Sequence, residues 1–374
     1  MAEIGLTGLG TMGAALALNI AEKGHSVAVH NRTAARITEF LDEAGPLSDR
    51  LTAAEDFAAL AAALETPRAI ILMVPAGPAV DDTIDALLPH LEAGDLIIDA
   101  GNANFHDTAR REAALQDTGI AFLGMGVSGG EEGARHGPSI MGGGPEVSWE
   151  RIRPSVEDIA ARYQDMPCAA RLGPGGAGHF VKTVHNGIEY ADMQLIAEVY
   201  GMLRDGQGRM PGEIGELFTA WNMGPLQSFL VEITGKVLEA DDPATGAPMV
   251  EMILDRAGQK GTGRWTAIEA LSLGRSATTI EAAVAARSWS AEKDARVAGE
   301  AILPGPGGRC HPVLDADLEE ALLAARIIAY AQGLDILKAA SDEYGWDIDL
   351  ARTAEIWRAG CIIRSDMLND MASA

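Results

Sequence analysis

Short apolar runs alternate with amphipathic stretches through the first half of the chain. The apolar runs predict buried β-strands, and the stretches with helical periodicity predict helices. The predicted strands cover residues 3–8, 26–30, 69–74 and 96–99, and the predicted helices cover residues 52–64, 80–91 and 107–115. Such alternation is typical of a doubly wound parallel sheet, whose ligand-binding loops follow the carboxyl ends of the strands.

Helical patterns alone fill the second half. Strand signals stop after the glycine-rich segment 173–178. Helices are then predicted at residues 176–203, 211–221, 225–239, 247–257, 262–273, 278–299, 316–344 and 349–358. We therefore expect two domains: a Rossmann-type α/β domain at residues 1–175 and an all-helical domain at residues 176–374. The predicted fold class is α/β plus all-α.

The predicted helix 176–203 carries a polar stripe on an otherwise apolar surface. Helical spacing puts Lys182, His185, Asn186 and Glu189 on one face, with Tyr190 at its edge. A buried helix must satisfy such a stripe with partners or a ligand. The alternative is a solvated face or an internal salt bridge.

A glycine motif joins the first strand to the first helix. Gly8, Gly10 and Gly13 have the G-x-G-x-x-G spacing. In a dinucleotide site these glycines allow a tight turn, close approach of a diphosphate and close helix–strand packing. The alternative is a glycine-rich turn that binds no ligand.

The second predicted strand is followed by Asn31, Arg32 and Thr33. An NAD site usually has an acidic residue here, bonded to the ribose 2′-hydroxyl, but no acid occurs before Glu39. A guanidinium instead suits a 2′-phosphate, so we predict NADP rather than NAD as the cofactor. The alternative is an ordinary exposed arginine.

Composition excludes some classes of partner. The chain has 374 residues, of which 47% are hydrophobic, and a net charge of −25, which disfavours nucleic acid and anionic membranes. Cys168, Cys310 and Cys361 match no metal or disulfide spacing, which favours a reducing compartment. No apolar run approaches the roughly 18 residues of a membrane span. We expect a soluble cytoplasmic protein without a bound metal.

Small residues also mark a possible anion site at residues 128–130, Ser-Gly-Gly, whose amide groups could bind a carboxylate or phosphate. Glu131 and Glu132 follow. They could act as a general acid and base, but capping of a helix or binding to Arg135 is the simpler interpretation.

Two cations in the second half are also candidates. Lys260 lies between glycines before a predicted helix, a geometry that binds anions, and Arg287 lies within the predicted helix 278–299. For either residue alone, a surface charge is the simpler interpretation.

These motifs together resemble one family. The segments GLGTMG, NRT, GVSGGEEGAR, GAGHFVK-x-VHNGIEYADMQLI, GQKGTG-x-WT, YAQG and WRAGCIIRS closely resemble 6-phosphogluconate dehydrogenase (decarboxylating) over essentially the whole chain. The blocks around Ser128 and Lys182 are the most specific.

The resemblance implies roles for individual residues. It implies that Lys182 and Glu189 form the acid–base pair. Substrate contacts are implied for Asn102, Ser128, Gly129, Gly130, His185, Asn186, Tyr190, Lys260, Thr262 and Arg287. Cofactor contacts are implied for Gly8, Leu9, Gly10, Thr11, Met12, Gly13, Asn31, Arg32, Thr33, Val74, Pro75, Ala76 and Asn102.

The resemblance also implies a reaction in the pentose phosphate pathway and in gluconate utilisation. The family oxidises the 3-hydroxyl of 6-phosphogluconate, passes hydride to NADP⁺, releases CO₂ and forms ribulose 5-phosphate. Lys182 would take the hydroxyl proton and then polarise the ketone, and Glu189 would protonate carbon 1. His185 and Asn186 would orient the substrate. No metal is required, and a homodimer is implied.

Several positions depart from the family pattern. Pro75 replaces a lysine, Ala100 and Ala103 replace a glycine and a serine, Met125 replaces a serine, and His136 replaces a tyrosine.

The end of the chain also differs, since long members continue beyond the position of Ala374 with a tail that completes the partner's substrate site. A C-terminally short member is therefore expected. Two alternatives stay open: a β-hydroxyacid dehydrogenase of the 3-hydroxyisobutyrate type, and a catalytically silent NADP-binding protein.

Overall fold

The computed structural model describes residues 1–259, 261–303, 305 and 313–374. The chain divides into two units. The first comprises Met1–Thr183 and Ser341–Ile362, and the second comprises Val184–Ala340 and Ile363–Ala374. The domain boundary after residue 175 stays a prediction.

A mostly parallel sheet forms the centre of the first unit. Its strands are β1 Ile4–Thr7, β2 Val27–His30, β3 Leu51–Ala54, β4 Ala69–Leu72, β5 Leu96–Asp99, β6 Ala121–Val127 and β7 Ile140–Gly143, followed by the small pair β8 Arg162–Tyr163 and β9 Met166–Pro167, and by β10 Ala169–Arg171. The sheet order is β10-β7-β6-β5-β4-β1-β2-β3, and β7 runs antiparallel to β6. The run from β3 to β6 has the order of dinucleotide-binding doubly wound sheets.

Helices cover both faces of this sheet. They are α1 Thr11–Glu22, α2 Ala34–Glu43, α3 Phe57–Ala62, α4 Pro78–Leu87, α5 Phe105–Leu115, α6 Gly130–His136 and α7 Glu146–Ile159. Neighbouring strand residues belong to different apolar clusters: Ile71 and Ile98 pack with α1 and α7, whereas Ile70 and Ile97 pack with α4. Strands buried on both faces read as continuous apolar runs, which is why they are recognisable in the sequence.

The regular elements in the described part of the second unit are helices. Helix α8, Ala177–Gly201, begins in the first unit, passes into the second at Val184, and ends in a π-helical turn, Met202–Gly206. The other helices of this unit are α9 Pro211–Trp221, α10 Phe229–Glu239, α11 Met249–Met252, α12 Thr262–Ser272, α13 Thr278–Ala291, α14 Lys293–Ile302, α15 Asp315–Tyr344, whose last four residues belong to the first unit, and α17 Met367–Ser373. Helix α16, Leu350–Ile356, lies in the first unit. The predicted fold class, α/β plus all-α, is confirmed.

The prediction of a single helix at residues 52–64 is wrong. This segment contains most of β3 and then α3. Strand β3 pairs with β2 in parallel, with Leu51 opposite Val27. The Asp56 side chain accepts the Ala59 N–H at 2.7 Å and starts α3. Alanine favours helix locally, but pairing at the sheet edge and this N-cap determine the structure.

Two predicted helices in the second half are shorter than expected. The segment 278–299 is broken at Glu292 into α13 and α14. The Arg296 side chain donates to the carbonyls of Trp289 and Ser290, which satisfies acceptors at the end of α13. The segment 247–257 has only the four helical residues of α11, because Ile253 is extended.

A buried ion pair joins α8 to α15 in the second unit. Arg326 donates from Nε and Nη2 to the two carboxylate oxygens of Asp192, at 2.9 and 3.0 Å, and from Nη1 to the Leu226 carbonyl at 3.2 Å. Both side chains are at most 1% exposed. The bidentate geometry fixes both the spacing and the rotation of the two helices.

Two further predictions concern cysteines and membranes. Cys168 and Cys361 are buried and form no disulfide within the described residues, and Cys310 lies outside those residues. None of the described helices combines the length and the apolar character required to cross a membrane.

Replacing Arg326 with methionine leaves the Asp192 carboxylate buried without its partner. We expect the free energy of unfolding of the second unit to fall by about 3–5 kcal/mol, measured from helical circular dichroism in denaturant. Arg275→Met is the control, because Arg275 forms only a half-exposed ion pair at 3.8 Å with Asp335. The control should change stability by less than about 0.5 kcal/mol. Equal losses in both variants would contradict the prediction.

Candidate active site

The glycine motif lies between β1 and α1, and its three glycines have different surroundings. Gly8 has φ +103°, and a Cβ atom there would overlap the Met73 carbonyl. A Cβ atom at Gly13 would overlap the Gly8 carbonyl, whereas one at Gly10 would meet nothing within 4 Å. The first and third glycines therefore allow the turn and close packing, and the second leaves an open approach to the backbone.

Helix α1 then begins at Thr11 without a side-chain cap. Thr11 is exposed, Met12 is half-buried and Leu9 is buried. The first N–H groups of an uncapped helix, together with the helix dipole, favour a bound anion. This end of α1 can therefore hold the diphosphate of a dinucleotide.

The residues after β2 lie next to this loop. The Asn31 side chain accepts the Leu9 N–H at 3.0 Å and donates to the Thr33 carbonyl at 3.2 Å. Arg32 is exposed and makes no hydrogen bond or ion pair with the part of the chain that the structure describes. Its guanidinium is thus free to receive a phosphate.

A cleft of about 910 Å³ opens beside the glycine loop. Its lining residues come from the loop, α1, α2 and α6, and they are Leu9, Gly10, Thr11, Ala14, Ala15, Leu18, Asn31, Thr33, Arg36, Phe40, Glu43, Glu131, Glu132 and Arg135. The cleft includes several of the predicted cofactor residues. Its volume falls within the range of ligand pockets in proteins.

The loop after β4 and the end of β5 are held together by Arg111. This buried side chain donates to Asp81 at 2.8 and 3.1 Å, to the Gly77 carbonyl at 2.9 Å and to Asp99 at 3.4 Å. Hydrogen bonds from Arg111, and then from Arg110, lower the pKa of Asp81 to about 2.

The network thereby fixes the positions of the two segments after β4 and β5 that are predicted to contact the cofactor, residues 74–76 and Asn102. Val74 is half-buried, and Pro75, Ala76 and Asn102 are exposed.

The most specific predicted residues of the first unit lie together. Lys182, on α8, donates from Nζ to the Ser128 hydroxyl at 3.1 Å. Lys182 is 6% exposed and Ser128 is 1% exposed. A Cβ atom at Gly126 would overlap the Lys182 Cβ and lie 2.8 Å from its Cγ. The lysine stem therefore packs directly on β6, which aims its amine at the serine that follows the strand.

The rest of the 128–130 segment is equally crowded. Gly129 has φ +101°, and a Cβ atom there would lie 2.6 Å from the Gly360 carbonyl. Gly130 begins α6. Only glycine fits the backbone at Gly129, so the turn that presents Ser128 depends on it.

A buried imidazole lies about one helical turn before Lys182. His179 shares a hydrogen bond with the Thr108 hydroxyl at 2.7 Å. Burial lowers the pKa of His179, so the ring is neutral at physiological pH. It therefore adds no positive charge beside the lysine.

The second unit brings together the other polar residues of the stripe. His185 Nδ1 shares a hydrogen bond with Asn186 Oδ1 at 3.0 Å and lies 3.9 Å from the Glu189 carboxylate. Asn186 Nδ2 donates to the Thr262 hydroxyl at 3.1 Å. Thr262 is the first residue of α12, whose N-cap, Gly261, provides no side-chain cap. The stripe thus consists of linked groups around an uncapped helix terminus.

Arg287 is held over an aromatic ring. Its guanidinium carbon lies 4.1 Å from the centre of the Tyr190 ring, and Nη1 donates to the Gly258 carbonyl at 2.9 Å. A Cβ atom at Gly263 would lie 2.6 Å from the same ring. The ring, packed on Gly263, thus orients the cation. Lys260 lies outside the described residues.

The two adjacent acidic residues after Gly130 are placed at the start of a helix. Glu131 and Glu132 lie in the first turn of α6, where the helix dipole stabilises negatively charged side chains. Arg135 does not bind them, because its guanidinium pairs with Glu22 at 2.6 Å. In the described residues, no group of three or more His, Cys, Asp or Glu side chains is placed to hold a metal ion.

Some residues of the site gave no usable sequence signal. Arg36, which lines the cleft, and Arg111, which holds two loops, resemble ordinary helix surface cations in the sequence. Gly126 was visible only as part of a glycine-rich strand. Their roles depend on neighbours far along the chain.

Comparison with known proteins identifies the family. The model for the NAD binding domain of 6-phosphogluconate dehydrogenase matches residues 3–172, and the model for the C-terminal domain of 6-phosphogluconate dehydrogenase matches residues 178–374. This chain belongs to the 6-phosphogluconate dehydrogenase family. The resemblance inferred from the motifs is thereby confirmed.

Curated relatives align with the whole chain. 6-Phosphogluconate dehydrogenase, decarboxylating, of Haemophilus influenzae is 49% identical, and the alignment covers 100% of this chain and 77% of that protein. The NADP(+)-dependent, decarboxylating 6-phosphogluconate dehydrogenase of Bacillus subtilis is 48% identical, with 100% and 80% covered.

The solved structure of Plasmodium falciparum 6-phosphogluconate dehydrogenase, described in its apo form and in complexes with NADP+ and 6-phosphogluconate, has a TM-score of 0.95. It is 40% identical and covers 100% of this chain and 81% of that one. The matches favour this family over the hydroxyacid dehydrogenase alternative.

Gly126→Ala tests the close packing that places Lys182 on β6. The added methyl overlaps the lysine stem, so we expect the free energy of unfolding to fall by about 1–3 kcal/mol, measured by denaturant titration. Gly201→Ala is the control, because Gly201 is helical on the same helix and has open space around it. It should be neutral or stabilising by up to about 1 kcal/mol. Similar stability of the two variants would refute the packing argument.

Proposed function

We propose that this chain catalyses the oxidative decarboxylation of 6-phospho-D-gluconate to ribulose 5-phosphate and CO₂, with NADP⁺ as oxidant, in the pentose phosphate pathway. The observation that carries the proposal is the buried Lys182–Ser128 hydrogen bond, at 3.1 Å, in a chain of this family. A buried amine with a fixed direction and a hydroxyl partner is suited to proton transfer at a substrate hydroxyl.

In the first step, Lys182 accepts the proton of the 3-hydroxyl. It must enter this step as a neutral amine, and it leaves as an ammonium. Bound NADP⁺ supplies the hydride acceptor. The ammonium then donates a hydrogen bond to the new ketone oxygen, and this stabilises the negative charge that develops when the bond to the carboxylate breaks. Decarboxylation of a β-keto acid needs only this polarisation.

Glu189 donates a proton to carbon 1 of the enediol in the last step. Its carboxyl group must therefore be protonated when CO₂ has left. His185, 3.9 Å from Glu189, and Asn186, bonded to Thr262, orient the substrate hydroxyl and carboxylate groups. The hydrogen bond between His185 and Asn186, and the one from Asn186 to Thr262, restrict the side-chain rotamers, which supports a positioning role.

Arg287 binds the substrate phosphate, with Lys260 as a second cation. Support comes from the Tyr190 ring, which holds the guanidinium 4.1 Å from its centre, and from the uncapped N-terminus of α12. In a chain with a net charge of −25, an anionic substrate needs such local cations. Ser128, Gly129, Gly130 and Asn102 complete the proposed substrate contacts.

The cofactor binds along the glycine loop of the first unit. Residues 8–13 present the uncapped end of α1 to the diphosphate, and Arg32, with Asn31 and Thr33, binds the 2′-phosphate. The loop 74–76 and Asn102 complete the proposed cofactor contacts.

We propose a cytoplasmic homodimer that binds neither nucleic acid nor membranes. Large apolar side chains are exposed on α12, α13 and α15, among them Leu271, Trp289, Ile327 and Ile328 at 69%, 65%, 47% and 51%. Burial against a second copy removes them from water. Cys168 and Cys361 form no disulfide within the described residues, which suits a reducing compartment, and the net charge of −25 repels nucleic acid.

A paired assay of the purified chain tests the reaction. We expect NADPH and CO₂ to form in equal amounts from 6-phosphogluconate, measured by absorbance at about 340 nm and by trapped CO₂. Lys182→Ala should lower kcat by at least about 100-fold, because it removes the group that is proposed to take the hydroxyl proton.

The control is Lys236→Ala, which removes an exposed lysine bound to Glu232 and should leave kcat unchanged. NADPH without CO₂ would indicate a simple dehydrogenase. Tight NADPH binding without turnover would indicate a silent paralogue.

Cofactor preference is tested at Arg32. Because its guanidinium faces the 2′-phosphate in this proposal, Arg32→Gln should raise KM for NADP⁺ by about 10- to 100-fold. KM for NAD⁺ should change by less than about twofold. Initial rates with both cofactors measure the two values. Equal losses for the two cofactors would show that Arg32 does not read the 2′-phosphate.

A further inference from the structure

Leu9, in the glycine loop, has both of its backbone polar groups bonded to side chains outside the loop. Its N–H donates to Asn31 Oδ1 at 3.0 Å, and its carbonyl accepts from Arg36 Nε at 3.1 Å. Asn31 belongs to the set expected to contact the cofactor. Arg36, in the first turn of α2, does not, although it lines the same cleft.

The hydrogen bond from Arg36 has a geometric consequence for Gly10. The Leu9 carbonyl and the Gly10 N–H belong to one planar trans peptide group and point in opposite directions. A side chain that fixes the carbonyl therefore fixes the N–H. Glycine restricts its own backbone little, and a Cβ atom at Gly10 would meet nothing within 4 Å. The direction of this amide thus depends on a tether outside the loop.

Arg36 is poorly suited to bind phosphate itself. Its guanidinium is paired with Glu43 at 3.1 Å and with Glu39 at 3.5 Å. Two carboxylates offset its charge, in contrast to Arg32, which has no carboxylate partner in the described chain. The side chain is also only 30% exposed. Its chemistry is that of a group that holds backbone in place.

We propose that Arg36 is a positioning residue of the cofactor site, which orients the Gly10 N–H toward the diphosphate by holding the Leu9 carbonyl. This inference rests on the proposed function, because it takes a dinucleotide as the ligand of the loop. The diphosphate is common to NADP(H) and NAD(H). Arg36 therefore sets affinity for both cofactors and leaves the preference between them to Arg32.

The test compares Arg36→Lys, Arg36→Gln and Arg135→Gln with wild type. Arg36→Lys keeps the charge but lacks the Nε–H. Arg135 lines the same cleft and is paired with Glu22, so its loss controls for removal of a cation. The measured quantities are the dissociation constants of NADPH and NADH. Calorimetry gives them without enzyme turnover.

We expect both Arg36 variants to raise the two dissociation constants by about tenfold and by the same factor. Arg135→Gln should change them by less than about twofold. Amide hydrogen exchange in the free protein gives a second readout. Exchange at the Leu9 N–H, which donates to Asn31 Oδ1, should become faster in Arg36→Lys because the loop loses one of its two tethers. The sheet amides should be unchanged, an effect that general destabilisation does not produce.

Other outcomes overturn the inference. Wild-type affinity in Arg36→Lys would show that only charge matters at this position. A loss confined to NADPH would make Arg36 a 2′-phosphate ligand. Loss of protection throughout the sheet would make its role merely structural. Failure of the wild-type protein to bind either cofactor would overturn the proposed function together with this inference, whereas wild-type binding with unchanged variants would overturn the inference alone.

Discussion

The direct contact between the first turns of α8 and the strands β6 and β7 determines the geometry of the first unit's site. Glycines make it possible: Cβ atoms at Gly126 and Gly143 would overlap Lys182 and the backbone of Gly178. No side chain separates the helix from the sheet there. The Lys182 stem therefore lies against the strand, and its amine reaches Ser128 just beyond the strand's end. A larger residue at either glycine would displace the helix and the amine together.

In the second unit, the bidentate Arg326–Asp192 pair secures α8 to α15. Glu189 lies three residues before Asp192 on the same helix, less than one helical turn away. The carboxyl group that is proposed to protonate carbon 1 is therefore carried by a helix that a buried ion pair holds in place.

The parts of the fold and site that could be predicted from the sequence are those with a local signal. The glycine loop between β1 and α1 and the helix α8 were expected because spacing along one element suffices to recognise them, and the structure contains both. Strand β3 and the break at Glu292 were missed because they depend on pairing with β2 and on the distant side chain of Arg296. Arg36 and Arg111 were missed for the same reason. Family resemblance supplied roles for Lys182 and Glu189 that spacing alone could not.

The cations of this acidic chain fall into two groups according to their partners. Arg36, Arg111 and Arg326 are each paired with carboxylates and also donate to a backbone carbonyl. Within the described residues, Arg32 and Arg287 pair with no carboxylate; Arg287 is held instead by a ring and a carbonyl. A cation already offset by carboxylates attracts phosphate weakly, but it holds backbone firmly because its charge is satisfied. With 54 acidic residues against 29 basic ones, a cation without a carboxylate partner is therefore the more informative sign of an anion site.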